Sequence, residues 1–202
     1  MKPILFNGDM IRAILEDRKT VTRRVVKPQP TERAAQKMCS DDVWRLEWWN
    51  VNEFHSIKIP YRPSGILYVQ ETWDREPVTP EGHFLLNGVF YYKADGDLRP
   101  KAWRDRWRSP ITMPRKAARI FLRVTDVRVE RLQDITEEQA VKEGVYRSRE
   151  DYGIAIYAFS DIWDRIIKPT ERALYGWNAN PYVWVIEFER ISKEEAENEQ
   201  WL

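Results

Sequence analysis

The chain has 202 residues, with 33 Lys and Arg against 32 Asp and Glu and a formal net charge of +1. That length suits one domain around a single sizeable core. The near-neutral balance excludes attraction to nucleic acid or membrane by a global field, so any such site must be a local patch.

A single cysteine, Cys39, excludes an intrachain disulfide and a cysteine metal cluster. No stretch approaches the roughly 20 apolar residues that cross a bilayer. The opening run Met1-Lys2-Pro3-Ile4-Leu5-Phe6-Asn7-Gly8 lacks the apolar core of a signal peptide. The expectation is a cytoplasmic protein with no membrane role.

From Asn7, a plausible N-cap, the apolar residues Met10, Ile11, Ile14 and Leu15 recur at helical spacing and predict a short amphipathic helix. It gives way at Asp17-Arg18 to the β-branched run Lys19-Thr20-Val21-Thr22-Arg23-Arg24-Val25-Val26, which Lys27-Pro28-Gln29-Pro30 stops. A helix-to-strand corner is therefore expected at Lys19. Residues 31–62 mix charge with Trp44, Trp48 and Trp49 and read as an inserted excursion of no assigned structure.

Strands are expected over residues 65–73, 89–93, 119–132 and Tyr182–Ile191. Between the last two, Thr136-Glu137-Glu138-Gln139 is a capping-box sequence that opens a short helix closed by Gly144. A longer helix follows, with Tyr157, Phe159, Ile162, Trp163, Ile166 and Ile167 on its apolar face, ending before Pro169. The tail, residues 192–202, is acidic and expected to fray. Separated strands of this kind suit a barrel better than a parallel α/β sheet. The predicted architecture is a single α+β domain over residues 1–202, with insertions around 31–62 and 80–115.

The sharpest chemical feature is Arg18-Lys19-Thr20-Val21-Thr22-Arg23-Arg24, with four cations and two hydroxyls in seven residues at that corner. A solvated basic turn is the ordinary reading, because Lys and Arg are mostly exposed. The alternative is a reactive pair. An ammonium beside a hydroxyl acts as a base when burial or neighbouring cations depress its pKa, and Arg18, Arg23 and Arg24 are close in sequence. In a strand, residues three apart face opposite sides, so Lys19 and Thr22 meet only if the corner bends between them.

Glu143 stands out because it falls in the last turn of its helix, where the macrodipole disfavours an acid by roughly a few tenths of a kcal/mol. Among ten tryptophans, Trp163 and Trp184 fit a core by periodicity. Trp103 and Trp107 interleave with cations in Arg99-Pro100-Lys101-Ala102-Trp103-Arg104-Asp105-Arg106-Trp107-Arg108, a pattern suited to phosphate contact and base stacking, and Trp73 is a third candidate. Arg115 and Lys116 extend the basic character nearby. His55 and His83 have no ligand partner at useful spacing. Nothing in the sequence calls for a metal or a cofactor.

The run Asp17-Arg18-Lys19-Thr20-Val21-Thr22-Arg23-Arg24 resembles the Gly-x-Lys-x-x-Thr-x-Arg motif of ASCH domains, with Lys19, Thr22 and Arg24 on the motif positions and Asp17 in place of the glycine. Residues 65–73 resemble that family's strand leading to an acidic residue, here Glu71. Residues 119–130 resemble its central strand, and 182–190 its closing strand. The similarity is nearest to the longer ASCH proteins of bacteriophages and prophages. It implies a PUA-like β-barrel with flanking helices and inserted loops, in the bacterial host cell if the chain is phage-encoded. Small bacterial relatives hydrolyse N4-acetylcytidine through a lysine, a threonine and a glutamate, and the resemblance puts Lys19, Thr22 and Glu143 on those positions.

What the resemblance implies is recognition of RNA or a modified nucleoside, with amidohydrolase activity on an N4-acylated cytidine. Thr22 would attack the exocyclic amide carbonyl, Lys19 accept its proton, Glu143 orient Lys19 or a water, and Arg24 or a backbone amide stabilise the oxyanion. Arg23, Arg24, Glu71, Trp73, Trp103, Trp107, Arg115 and Lys116 are the candidates for holding substrate or RNA. The alternatives are a non-catalytic RNA-binding module of phage origin, a ribonuclease, or a protein-interaction adaptor.

Overall fold

A computed structural model describes residues 1–35, 45–50, 53–76, 88–101, 106–145 and 154–199. Its strands are β1 (Lys2–Leu5), β2 (Val21–Val25), β3 (Arg45–Asn50), β4 (Glu53–Lys58), β5 (Ile66–Gln70), β6 (Trp73–Arg75), β7 (Phe90–Tyr92), β8 (Phe121–Arg131) and β9 (Tyr182–Ile191). Its helices include α1 (Gly8–Leu15), α2 (Glu137–Lys142), α3 (Ala155–Ile166), α4 (Arg172–Tyr175) and α5 (Lys193–Asn198). The fold is α+β around a mixed five-stranded sheet in the order β1-β5-β8-β9-β2, with β1 and β5 parallel and β2 and β9 antiparallel. A barrel needs every strand hydrogen-bonded on both sides. Here β1 and β2 end the order and the sheet is not closed, so the expected barrel is not shown.

The chain forms two compact units, one of Met1–Glu16, Ile66–Leu122 and Arg190–Leu202, the other of Asp17–Gly65 and Arg123–Glu189. In the first, the Asn7 side chain caps α1 by accepting from the Met10 N–H at 3.0 Å, and Ile11, Ala13 and Ile14 are buried. The strand expected over 65–73 is two strands, β5 and β6, separated by Glu71 and Thr72. The Thr72 carbonyl accepts from the Lys93 N–H at 2.9 Å, as β6 turns to pair with β7. Ile66, Trp73, Met113, Ala117, Phe121, Ile191 and Ala196 share a core. Ala196 belongs to α5, whose capping box of Ser192 and Glu195 makes the acidic tail helical rather than frayed over Lys193–Asn198. No helix among the described residues is long and apolar enough to cross a membrane.

In the second unit, β2 and β9 lie in register from Val21↔Glu187 to Val25↔Val183. Val21, Val183 and Val185 pack with Leu132, Ile135, Ala140, Ala155, Phe159 and Trp163. Helix α3 buries Ala155, Phe159 and Trp163, four residues apart on one face. Tyr157 and Ile166, expected on that face, are 75% and 44% exposed. Residues 31–62 include the antiparallel pair β3 and β4, where Trp48 stacks on His55 with ring centroids 5.0 Å apart.

Candidate functional site

The site is built where the chain turns into β2. Asp17 has φ 55°, the left-handed conformation that glycine adopts freely and that a short polar side chain tolerates better than most. Beyond it the backbone is held from two sides: the Thr20 N–H donates to the Lys142 carbonyl at 2.9 Å, and the Thr20 carbonyl accepts from the Phe188 N–H at 2.9 Å. Lys19 itself forms an isolated antiparallel bridge with Glu143. The end of α2 is thereby fixed against the start of β2.

Helix α2 begins as the capping box implies: the Thr136 side chain accepts from the Gln139 N–H, and the Gln139 side chain accepts from the Thr136 N–H. It ends at Glu143, followed by Gly144 at φ 83°. Gln139 and Glu143, four apart, lie on one helical face.

That face meets the two buried cations of the corner. Lys19 Nζ donates to Glu143 Oε2 at 2.6 Å, to the Glu143 carbonyl at 3.0 Å and to the Val21 carbonyl at 2.7 Å. Arg23 Nη1 donates to Glu143 Oε1 at 3.1 Å, and Arg23 Nη2 to Gln139 Oε1 at 2.8 Å. Both oxygens of one carboxylate are thus taken by two cations. The side chains of Lys19 and Arg23 are 0% exposed and that of Glu143 is 4% exposed. Arg23 Nη2 also lies 3.7 Å from Glu130 Oε2, and neither Glu130 Oε2 nor Arg23 Nε has a hydrogen-bond partner despite burial.

Burial pushes the Lys19 ammonium below the ordinary lysine value; Glu143 opposes the shift, while Arg24 and Arg23 reinforce it. Desolvation prevails because the whole side chain is removed from water.

Thr22 is 2% exposed and sits opposite Ile186 in β9. Strand alternation puts Thr22 and Arg24 on one face of β2 and Val21 and Arg23 on the other. The link to Lys19 is the backbone, because the carbonyl that Lys19 Nζ binds belongs to Val21, immediately before Thr22. Arg24 is half-buried beside Tyr61, whose phenol burial pushes up and Arg24 pulls back down.

The other candidates belong to the first unit. Glu71 is 2% exposed and is held by Arg119 through Nε at 2.9 Å and Nη2 at 3.0 Å, with Asp95 on the far side of the same guanidinium. Burial raises the Glu71 pKa against the pull of Arg119. Trp73, expected as a stacking platform, is instead 4% exposed within a core cluster. Trp107 already carries the Arg99 guanidinium 3.9 Å from its ring centroid. Arg115 and Lys116 are exposed, and Trp103 lies outside the described residues.

Sequence reasoning missed Gln139 and Glu130 as partners of Arg23. Gln139 carried a signal, since it stands four residues before Glu143 on a recognisable helix; Glu130 carried none. It also missed Asp74, which accepts from Arg99 Nη1 at 2.8 Å and from Arg108 Nε at 3.1 Å.

No known protein family and no curated protein matches the sequence. Among solved structures, the crystal structure of protein EF3133 from Enterococcus faecalis V583, described under DUF984, is similar at a TM-score of 0.44 and 9% identity, covering 95% of this chain and 82% of that one.

Proposed function

We propose that the protein is an amidohydrolase acting on an N4-acylated cytidine or a similar modified nucleoside, with Lys19 as base, Thr22 as nucleophile and Glu143 holding Lys19. The observation that carries this reading is the environment of Lys19. A lysine that grips phosphate works charged and exposed, whereas this one is wholly buried, has a lowered pKa and is anchored beside the peptide that leads into Thr22.

The reaction would begin with Thr22 Oγ1 adding to the exocyclic amide carbonyl as its proton passes, through one intervening water, to Lys19 in its neutral form. Return of that proton to the departing exocyclic nitrogen would release cytidine and leave an acyl-threonine. Water would then hydrolyse the ester and regenerate the hydroxyl. Arg24, on the same strand face as Thr22, is suited to the developing oxyanion. A PUA-like architecture of the ASCH kind goes with this proposal and is supported by the spacing of Lys19, Thr22 and Arg24.

Polymeric RNA is the weaker reading because many cations are already committed. Arg119 pairs with Glu71 and Asp95, Arg128 with Asp126, Glu130 and Glu187, and Arg99 with Asp74 and Asp97. The test is incubation of purified protein with N4-acetylcytidine and, separately, with a short RNA, resolving products by chromatography. Release of cytidine and acetate supports the proposal. Intact nucleoside together with RNA binding that weakens steeply with salt refutes it in favour of a backbone-binding module.

A further inference from the structure

We infer that Arg23, which falls on an unspecified position of the sequence motif, is a positioning residue that fixes the Glu143 carboxylate against Lys19. The inference rests on reading Lys19 as the base. Its geometric ground is the i,i+4 pair on α2: the two Nη groups of one guanidinium engage Gln139 Oε1 at 2.8 Å and Glu143 Oε1 at 3.1 Å, leaving Glu143 Oε2 for Lys19 at 2.6 Å. A planar fork with two anchors four residues apart on a helix fixes both the position and the rotation of the carboxylate, which a single ammonium cannot do.

Stability alone does not explain this arginine. A buried ion pair is a weak stabiliser beside an apolar side chain of similar volume. Arg23 also leaves its Nε–H buried without a partner, a cost that an apolar residue over Phe159 would avoid. What an apolar residue could not supply is a fixed Glu143 and a second positive charge close to Lys19. Among the described residues, the charged groups that act on Lys19 include Glu143 from the end of α2 and Arg23 and Arg24 from β2, with Glu130 of β8 reaching Arg23. Arg23 therefore both holds the group that keeps Lys19 charged and repels the charge itself.

The test uses full-length protein carrying 15N-lysine, with Lys19 assigned by its loss in Lys19→Arg, and follows the Lys19 Nζ titration by NMR in wild type, Arg23→Gln and Arg23→Lys. Removing this neighbouring cation should raise the Lys19 pKa in Arg23→Gln, while Arg23→Lys stays near wild type. The rising, low-pH limb of kcat against pH on N4-acetylcytidine should move with it, leaving KM little changed. Gln139→Leu keeps every charge but removes both this anchor and the capping-box acceptor for the Thr136 N–H, so it is compared with Thr136→Ala, which breaks the cap alone. The kcat should fall further in Gln139→Leu than in Thr136→Ala, with the titration unmoved in both; this pair also serves if Arg23→Gln does not fold. An unmoved Lys19 titration in folded Arg23→Gln, equal shifts in Arg23→Gln and Arg23→Lys, or a kcat in Gln139→Leu no lower than in Thr136→Ala overturns the inference. A wild-type protein that leaves N4-acetylcytidine intact sinks the proposed reaction, and the Lys19 titration still decides the role of Arg23.

Discussion

Replacing Glu143 by Gln keeps the shape of the side chain and removes the charge between two buried cations. The carboxylate accepts from Lys19 on one oxygen and from Arg23 on the other. An amide can accept on one side only, and its NH2 must then face the second cation. Each charge-assisted hydrogen bond contributes roughly 1.5–3 kcal/mol, and breaking a buried pair costs about 3–5 kcal/mol. A loss of about 3–5 kcal/mol at pH 7 is therefore expected, a large share of the ~5–15 kcal/mol that typically holds a protein folded. The loss should also depend on pH. In Glu143→Gln the folded-state pKa of Lys19 falls further below its unfolded value, so between those two values the unfolded chain binds more protons. Stability then rises with pH and falls as Lys19 becomes protonated. Urea unfolding at pH 7 and pH 9.5 should show a smaller deficit at the higher pH. A deficit under ~1 kcal/mol at pH 7, the size of an exposed pair, or one equal at both pH values, refutes the view that burial governs Lys19.

Lys19→Arg retains the positive charge and loses the base, because guanidinium does not deprotonate in proteins; turnover of N4-acetylcytidine, followed by chromatography, should disappear. Thr22→Val keeps the side-chain volume and removes the hydroxyl, so kcat should fall by ~10³ or more while the urea midpoint changes little. Asp17→Gly should raise stability by about 0.5–1 kcal/mol in urea unfolding, because the φ of 55° costs glycine little. Trp163→Ala should cost roughly 3–5 kcal/mol, since the ring is 2% exposed and its Nε1 donates to the Tyr175 carbonyl at 2.8 Å.

The parts of the fold visible in the sequence are those set by neighbouring residues. The limits of β9, the Asn7 cap of α1 and the capping box of α2 depend on local spacing and local hydrogen bonds, and all appear as expected. Sheet closure is different, because it depends on pairing between distant strands, which alternation within each strand does not specify. The break at Glu71 and Thr72 is similar: the run is uniformly strand-like, and the chain leaves it where Lys93 captures the Thr72 carbonyl. Trp73 looked available for stacking because a sequence shows an aromatic ring without showing which of its faces are covered.

The candidate site divides along the same line. The basic run was conspicuous, yet composition favoured an exposed turn, and its burial could not be foreseen because the carboxylate that makes it tolerable is 124 positions away from Lys19. Burying Lys19 and Arg23 together is costly unless acceptors arrive with good geometry. Glu143 and Gln139 bring them on a helix whose capping box fixes where its last turn falls. The one broken local rule in that helix, an acid at its C-terminal end, therefore has a physical account. The unfavourable macrodipole term is roughly a few tenths of a kcal/mol, small beside two charge-assisted hydrogen bonds. An acid placed against its own helix dipole to meet buried cations is held by tertiary demand, which is why Glu143 belongs with Lys19 and Arg23 in any reading of this protein's chemistry.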